Sequence, residues 1–127
     1  YKEMLPDYVS LIDNERDSCE QANIYDNCSY RIYWPQVEKG KYILLVDNKN
    51  HIMVGIRIRE GRLYIDQYHT YHNGCCDRPK WLLDYVNFHN ERVGSFIKYK
   101  YEEISNSCTY FGSSPIFVWR SKCVCAK

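Results

Sequence analysis

The sequence predicts a mainly β fold: a single small disulfide-stabilised antiparallel β domain, of meander, sandwich or cystine-knot-like type, with one or two short helices. Three observations carry this. Eleven isoleucines and eight valines stand against two alanines, a balance that favours strands over helical bundles. Residues 52–59 and 63–68 alternate around a tight turn, after a buried apolar run at 42–46. Seven cysteines are spread along 127 residues, as in loops closed by disulfides. That length suits one ordinary domain, and no linker, repeat or low-complexity tract divides it, so residues 1–127 are expected to form one unit.

Residues 5–18 space Leu5, Tyr8, Val9, Leu11 and Ile12 as in a short amphipathic helix entered through Pro6 and Asp7, or as in an extended arm. Residues 29–34 are β-branched and aromatic and read as a strand that Pro35 stops. Residues 42–46 read as a buried strand and 47–50 as a turn. Residues 52–59 alternate, with Ile52, Val54, Ile56 and Ile58 on one face. Glu60-Gly61 supplies a tight turn, after which Leu63, Ile65 and Gln67 alternate with Tyr64, Asp66 and Tyr68. The three segments form an antiparallel meander, its inner face packing the isoleucines on Leu44 and on Ile65 or Leu63. Residues 69–79 are a loop with Asn73-Gly74 as a turn signal, and 80–86 are one or two helical turns entered through Pro79. Residues 93–101 and 115–125 read as strands flanking a polar loop at 105–114, for six or seven strands in all.

The formal charge is +1, which argues against a dedicated nucleic-acid binder or a polybasic membrane protein. No apolar run approaches the roughly 18 residues of a membrane span. Cys19, Cys28, Cys75, Cys76, Cys108, Cys123 and Cys125 contain no Cys-x-x-Cys pair, so a zinc ribbon or thioredoxin-type motif is not expected. Their spread predicts disulfides in a secreted, extracellular protein, and Asn27-Cys28-Ser29 is a glycosylation acceptor at Asn27. The sequence starts at Tyr1 with no signal peptide, as expected of a processed form. An odd count leaves one cysteine unpaired or bonded to another chain, in which case the protein is a disulfide-linked homodimer.

No chemical constellation points to an enzyme. His69 and His72 lie in a loop without the His-Glu-x-x-His zinc pattern and read as solvent-facing. Asp84 and His89 could be combined with a cysteine nucleophile, but disulfide formation would consume the thiol. Glu102 and Glu103 are adjacent and point to opposite faces of a strand. The six glycines are scattered, so no phosphate loop forms. No cofactor and no metal are expected.

Binding is the better reading. Thirteen tyrosines exceed what one small core absorbs, and Tyr with Arg is typical of interface hot spots. By strand parity Tyr64 and Tyr68 face away from Leu63 and Ile65, and Arg57 and Arg59 face away from Ile56 and Ile58. The binding candidates are therefore Tyr64, Tyr68, Tyr71, Arg57 and Arg59. Lys98 and Lys100 would extend a basic stripe if their strand lies alongside.

Cys108 followed fifteen positions on by Cys123-Val124-Cys125, together with Val86-Asn87-Phe88-His89 and Val93, resembles the interleukin-17 family of cystine-knot cytokines. The ending Trp119-Arg120-Ser121-Lys122-Cys123-Val124-Cys125 is similar to the last strand of neurotrophins and Spätzle-type ligands. The likeness covers about a third of the chain, and two upstream cysteines that are separated in that family are adjacent here, as Cys75-Cys76. It implies a cytokine-like ligand whose final Cys-x-Cys anchors two bonds from one strand face.

The expected function is a secreted non-enzymatic protein that binds another extracellular protein, a receptor or a host or prey protein, as a cytokine-like ligand or an effector. The alternative is a small-ligand carrier with a lipocalin-like, aromatic-lined β barrel.

Overall fold

A computed structural model describes residues 1–92. The sequence-predicted strands at 93–101 and 115–125, the loop between them, and Cys108, Cys123 and Cys125 lie outside the described residues. Along the chain run β1 (Val9–Leu11), α1 (Glu15–Tyr25), a π-helical turn (Ser29–Tyr33), α2 (Trp34–Glu38), β2 (Tyr42–Asp47), β3 (Ile52–Arg59), β4 (Arg62–His69), a 3-10 turn (Tyr71–Asn73) and α3 (Lys80–Arg92). The strands form an antiparallel sheet in the order β1-β2-β3-β4. The described part is thus a four-stranded antiparallel sheet with short helices. Among the described residues the sheet stays open, with β1 and β4 as its edges.

The meander forms where its alternation places it. Glu60 (φ 53°) and Gly61 (φ 77°) are both left-handed at the β3–β4 turn, the conformation a two-residue hairpin requires. One face of the sheet carries Ile43, Leu45, Ile52, Val54, Ile56 and Leu63 against Trp81, Leu82, Tyr85 and Val86 of α3. The other carries Tyr42, Leu44, Val46 and Met53 against Tyr25, Tyr33 and Trp34. Both faces are therefore covered. Leu44 is opposite Gly55, on the face away from the isoleucines, so Leu45 takes the inner place expected of Leu44.

Three expected elements differ. Within residues 5–18, hydrogen bonding to β2 wins over helical spacing. Val9, Ser10 and Leu11 pair with Asp47, Val46 and Leu45, and the helix begins later. Asn14 caps α1 by accepting the Asp17 N–H at 2.8 Å, with Glu15 and Asp17 favourably placed in its first turn. Residues 29–34 are helical rather than extended. Ser29, Tyr33 and Trp34 are buried while Arg31 and Ile32 face out, a helical face, and Pro35 opens α2 instead of closing a strand. Finally, α3 runs thirteen residues, well beyond one or two turns, and contains Val86-Asn87-Phe88-His89.

The β3–β4 ladder contains the feature that places the polar side chains. Gly55 pairs with Gln67, but Ile56 pairs with Ile65, so Asp66 is an extra residue in β4. Such a bulge resets side-chain parity. Before it, Leu63 and Ile65 pack with the α3 core; after it, Tyr68 does.

Candidate functional site

The bulge divides the predicted binding residues. Tyr68 is opposite Val54 and only 2% exposed, so it is a core residue and not a surface one. Burial pushes its hydroxyl up to about 12. Tyr64 lies opposite Arg57, and Arg59 opposite Arg62, so Tyr64, Arg57 and Arg59 share a face as parity requires. Tyr71 stands apart, in the turn after β4.

Arg57 is committed to an internal network. Its Nε lies 3.0 Å from Asp66 Oδ1. The Tyr42 hydroxyl donates to Asp66 Oδ2 at 2.6 Å, and Gln67 Nε2 donates to the same oxygen and to the Tyr33 hydroxyl at 3.2 and 3.0 Å. Tyr33 stacks on Tyr42 with ring centroids 4.4 Å apart. Burial, and then the Asp66 charge beside it, push the Tyr42 hydroxyl well above its ordinary value. Two consecutive side chains, Asp66 and Gln67, reach this one network because the bulge aims both at it.

A second cluster forms where three loops meet. Tyr71 lies over Tyr25 and His51, with ring centroids 4.7 and 5.5 Å away. Its hydroxyl is 2.9 Å from His51 Nδ1. His72 Nδ1 is 2.9 Å from Asp26 Oδ2. Asp26, His51, His72 and Asn73 all have φ between 54° and 58°. Asp, Asn and His are the non-glycine types that enter this region most readily, so each loop turns sharply here without glycine. Asp26 caps α1 in that conformation, the place glycine usually fills. Gly74 closes the turn, where a Cβ would meet Thr70 Cγ2 at 2.6 Å. Tyr71 remains 37% exposed, and His51 and His72 are exposed beside it. Sequence reading named Tyr71 as a candidate but not its neighbours; the runs of Asp, Asn and His at loop ends were the available signal.

His69 is fully buried, which corrects the expectation that it faces solvent. Among the described residues no three His, Cys, Asp or Glu side chains converge to hold a metal, and no helix is long and apolar enough to cross a membrane.

Asn27 is fully buried. Its Oδ1 accepts the Ser29 N–H at 2.9 Å and its Nδ2 points at the Met53 sulfur at 3.7 Å. A glycan at Asn27 would need that nitrogen turned out to solvent, and here it is buried. Among the described residues no two cysteines lie at disulfide distance. Cys76 carries a free thiol, which corrects its expected place in a disulfide. Burial, with Asp77 adding to it, pushes that thiol up to about 11, so it is protonated at neutral pH.

Comparison with protein-family models, curated proteins and solved structures returned no match.

Proposed function

We propose that this protein is a secreted, non-enzymatic protein that binds another extracellular protein through the surface around Tyr71. The observation that carries the reading is the exposed Tyr71 ring, fixed between Tyr25 and His51 at a meeting of three sharply turned loops. A rigid aromatic with a polar tip loses little conformational freedom on docking, which is what a hot-spot residue needs. His51, His72 and Asp26 add polar groups around it. Arg59 and Tyr64 lie on a different part of the surface and extend the reading only if the partner is large.

The sharper version is a cytokine-like ligand or a host- or prey-directed effector, stapled by disulfides. The reading keeps Cys28 and Cys75 among the bonded cysteines, with a disulfide-linked homodimer as its dimeric form. Masses measured with and without reductant test the bonding. For the binding, the immobilised chain is exposed to extracellular fluid of its source beside a Tyr71→Ala variant. The reading expects a protein retained by the first and lost from the second. Equal retention by a correctly folded variant contradicts it.

A further inference from the structure

The outer edge of β1 offers a second surface, which does not rest on the Tyr71 reading. Asn48 N–H donates to the Tyr8 carbonyl at 2.8 Å and Ile12 N–H to the Leu44 carbonyl at 3.0 Å. In an antiparallel ladder the bonded residues alternate, so Tyr8, Ser10 and Ile12 bond to β2, and Val9 and Leu11 turn their backbone groups outward. The Val9 N–H is taken by the Pro6 carbonyl at 3.0 Å. The Leu11 N–H and the carbonyls of Val9 and Leu11 remain directed away from the sheet. Among the described residues no strand pairs with this edge.

A groove of about 420 Å³ runs beside it, lined by Leu5, Pro6 and Leu11 and by the charges of Asp7, Asp13 and Lys2. Lys2 is tied to Asp13 at 3.2 Å. The groove therefore mixes apolar and polar side chains and is net acidic.

We propose that this edge accepts an extended, basic segment of a partner protein by strand addition. The segment's backbone pairs with Leu11 N–H and the Val9 and Leu11 carbonyls. Its apolar side chains rest on Leu5, Pro6 and Leu11, and its Lys or Arg side chains approach Asp7 and Asp13. A second copy of this chain is the wrong occupant. Antiparallel pairing about a two-fold axis at Ser10 would bring Asp7 of each copy toward Asp13 of the other, a like-charge conflict at both ends.

The test is an NMR titration of the full chain with the capped heptapeptide Lys-Thr-Val-Thr-Val-Thr-Lys. Saturable shifts at Leu5 and Val9–Leu11, with slowed exchange of the Leu11 amide, are expected. Binding should weaken at least roughly fivefold when both lysines become glutamates, or in an Asp7→Asn/Asp13→Asn variant with an unchanged meander spectrum. A backbone N-methylated peptide should not bind. Absence of shifts at β1, equal binding of the N-methylated peptide, or dimerisation of the chain through this edge would each overturn the proposal.

Discussion

Trp81 donates its indole N–H to Asp47 Oδ2 at 2.9 Å, pinning the first turn of α3 to the β2–β3 hairpin. The same carboxylate accepts the Lys49 and Asn50 backbone N–H groups at 3.0 and 2.8 Å, and Asn50 Nδ2 at 2.9 Å. Burial opposes its charge, but these donors outweigh burial and hold the carboxyl below its ordinary value. Replacing Asp47 by Ala strands the buried indole and opens the turn.

Asp47→Ala should lower unfolding stability by about 2–4 kcal/mol in urea titration, and Trp81→Phe by about 1 kcal/mol or somewhat more. The folded carboxyl value is depressed, so its contribution is complete above about pH 4 and is lost as pH falls through the folded value. The gap between the native chain and Asp47→Asn should therefore narrow under acid.

The bulge makes its own prediction. Asp66→Ala removes the shared acceptor of Arg57, Tyr42 and Gln67 and should destabilise by about 1–3 kcal/mol, the partly exposed Arg57 limiting the loss. Tyr42→Phe should cost about 1 kcal/mol. A double-mutant cycle should return a coupling of about 0.5–2 kcal/mol, because the two losses share one hydrogen bond. Additive losses would remove Asp66 from the role given to it.

Two covered faces predict two sensitive faces. Ile56→Ala, on the α3 side, and Leu44→Ala, on the side of Tyr33 and Trp34, should each cost about 2–5 kcal/mol. A sheet with one solvated face would leave Leu44→Ala nearly neutral. Denaturant titration of the two variants decides.

The N-terminal arm is held by three side chains of α3, among them His89. His89 Nε2 lies 3.0 Å from the Glu3 carbonyl, the Tyr85 hydroxyl donates to the Tyr1 carbonyl at 2.7 Å, and Arg92 pairs with Glu3 at 3.1 Å. Burial lowers the His89 value, and the Arg92 charge acts in the same direction against the pull of the Glu3 groups. With the folded value depressed, neutral His89 contributes in full above about pH 6.5, and that contribution is lost as pH falls through the folded value. Unfolding stability in urea titration should fall across this window. A His89→Gln variant should lose that pH-dependent fall.

How much of this was readable depends on where one residue changes the parity. The alternation at 52–59 and the Glu60-Gly61 turn specify the meander, and Ile52, Val54 and Ile56 pack as that alternation requires. The extra residue Asp66 is invisible in the sequence because Asp66 and Gln67 are both polar and reach the same network. It turns Tyr68 from a surface candidate into core. The run Ile43-Leu44-Leu45-Val46 did carry a signal of burial on both faces, and the aromatic residues at 29–34 that cover the second face were hidden by reading Pro35 as a stop. The Tyr71 cluster joins residues as distant as Asp26 and His72, a contact made by tertiary packing and written in no local pattern.

The most direct test of the binding reading is hydrogen–deuterium exchange of the full chain with and without any protein that the immobilised chain retains. The account predicts added protection at residues 24–26, at His51 and at residues 70–74, with the meander unchanged. Protection confined to other surfaces, with these loops exchanging as in the free chain, would contradict it.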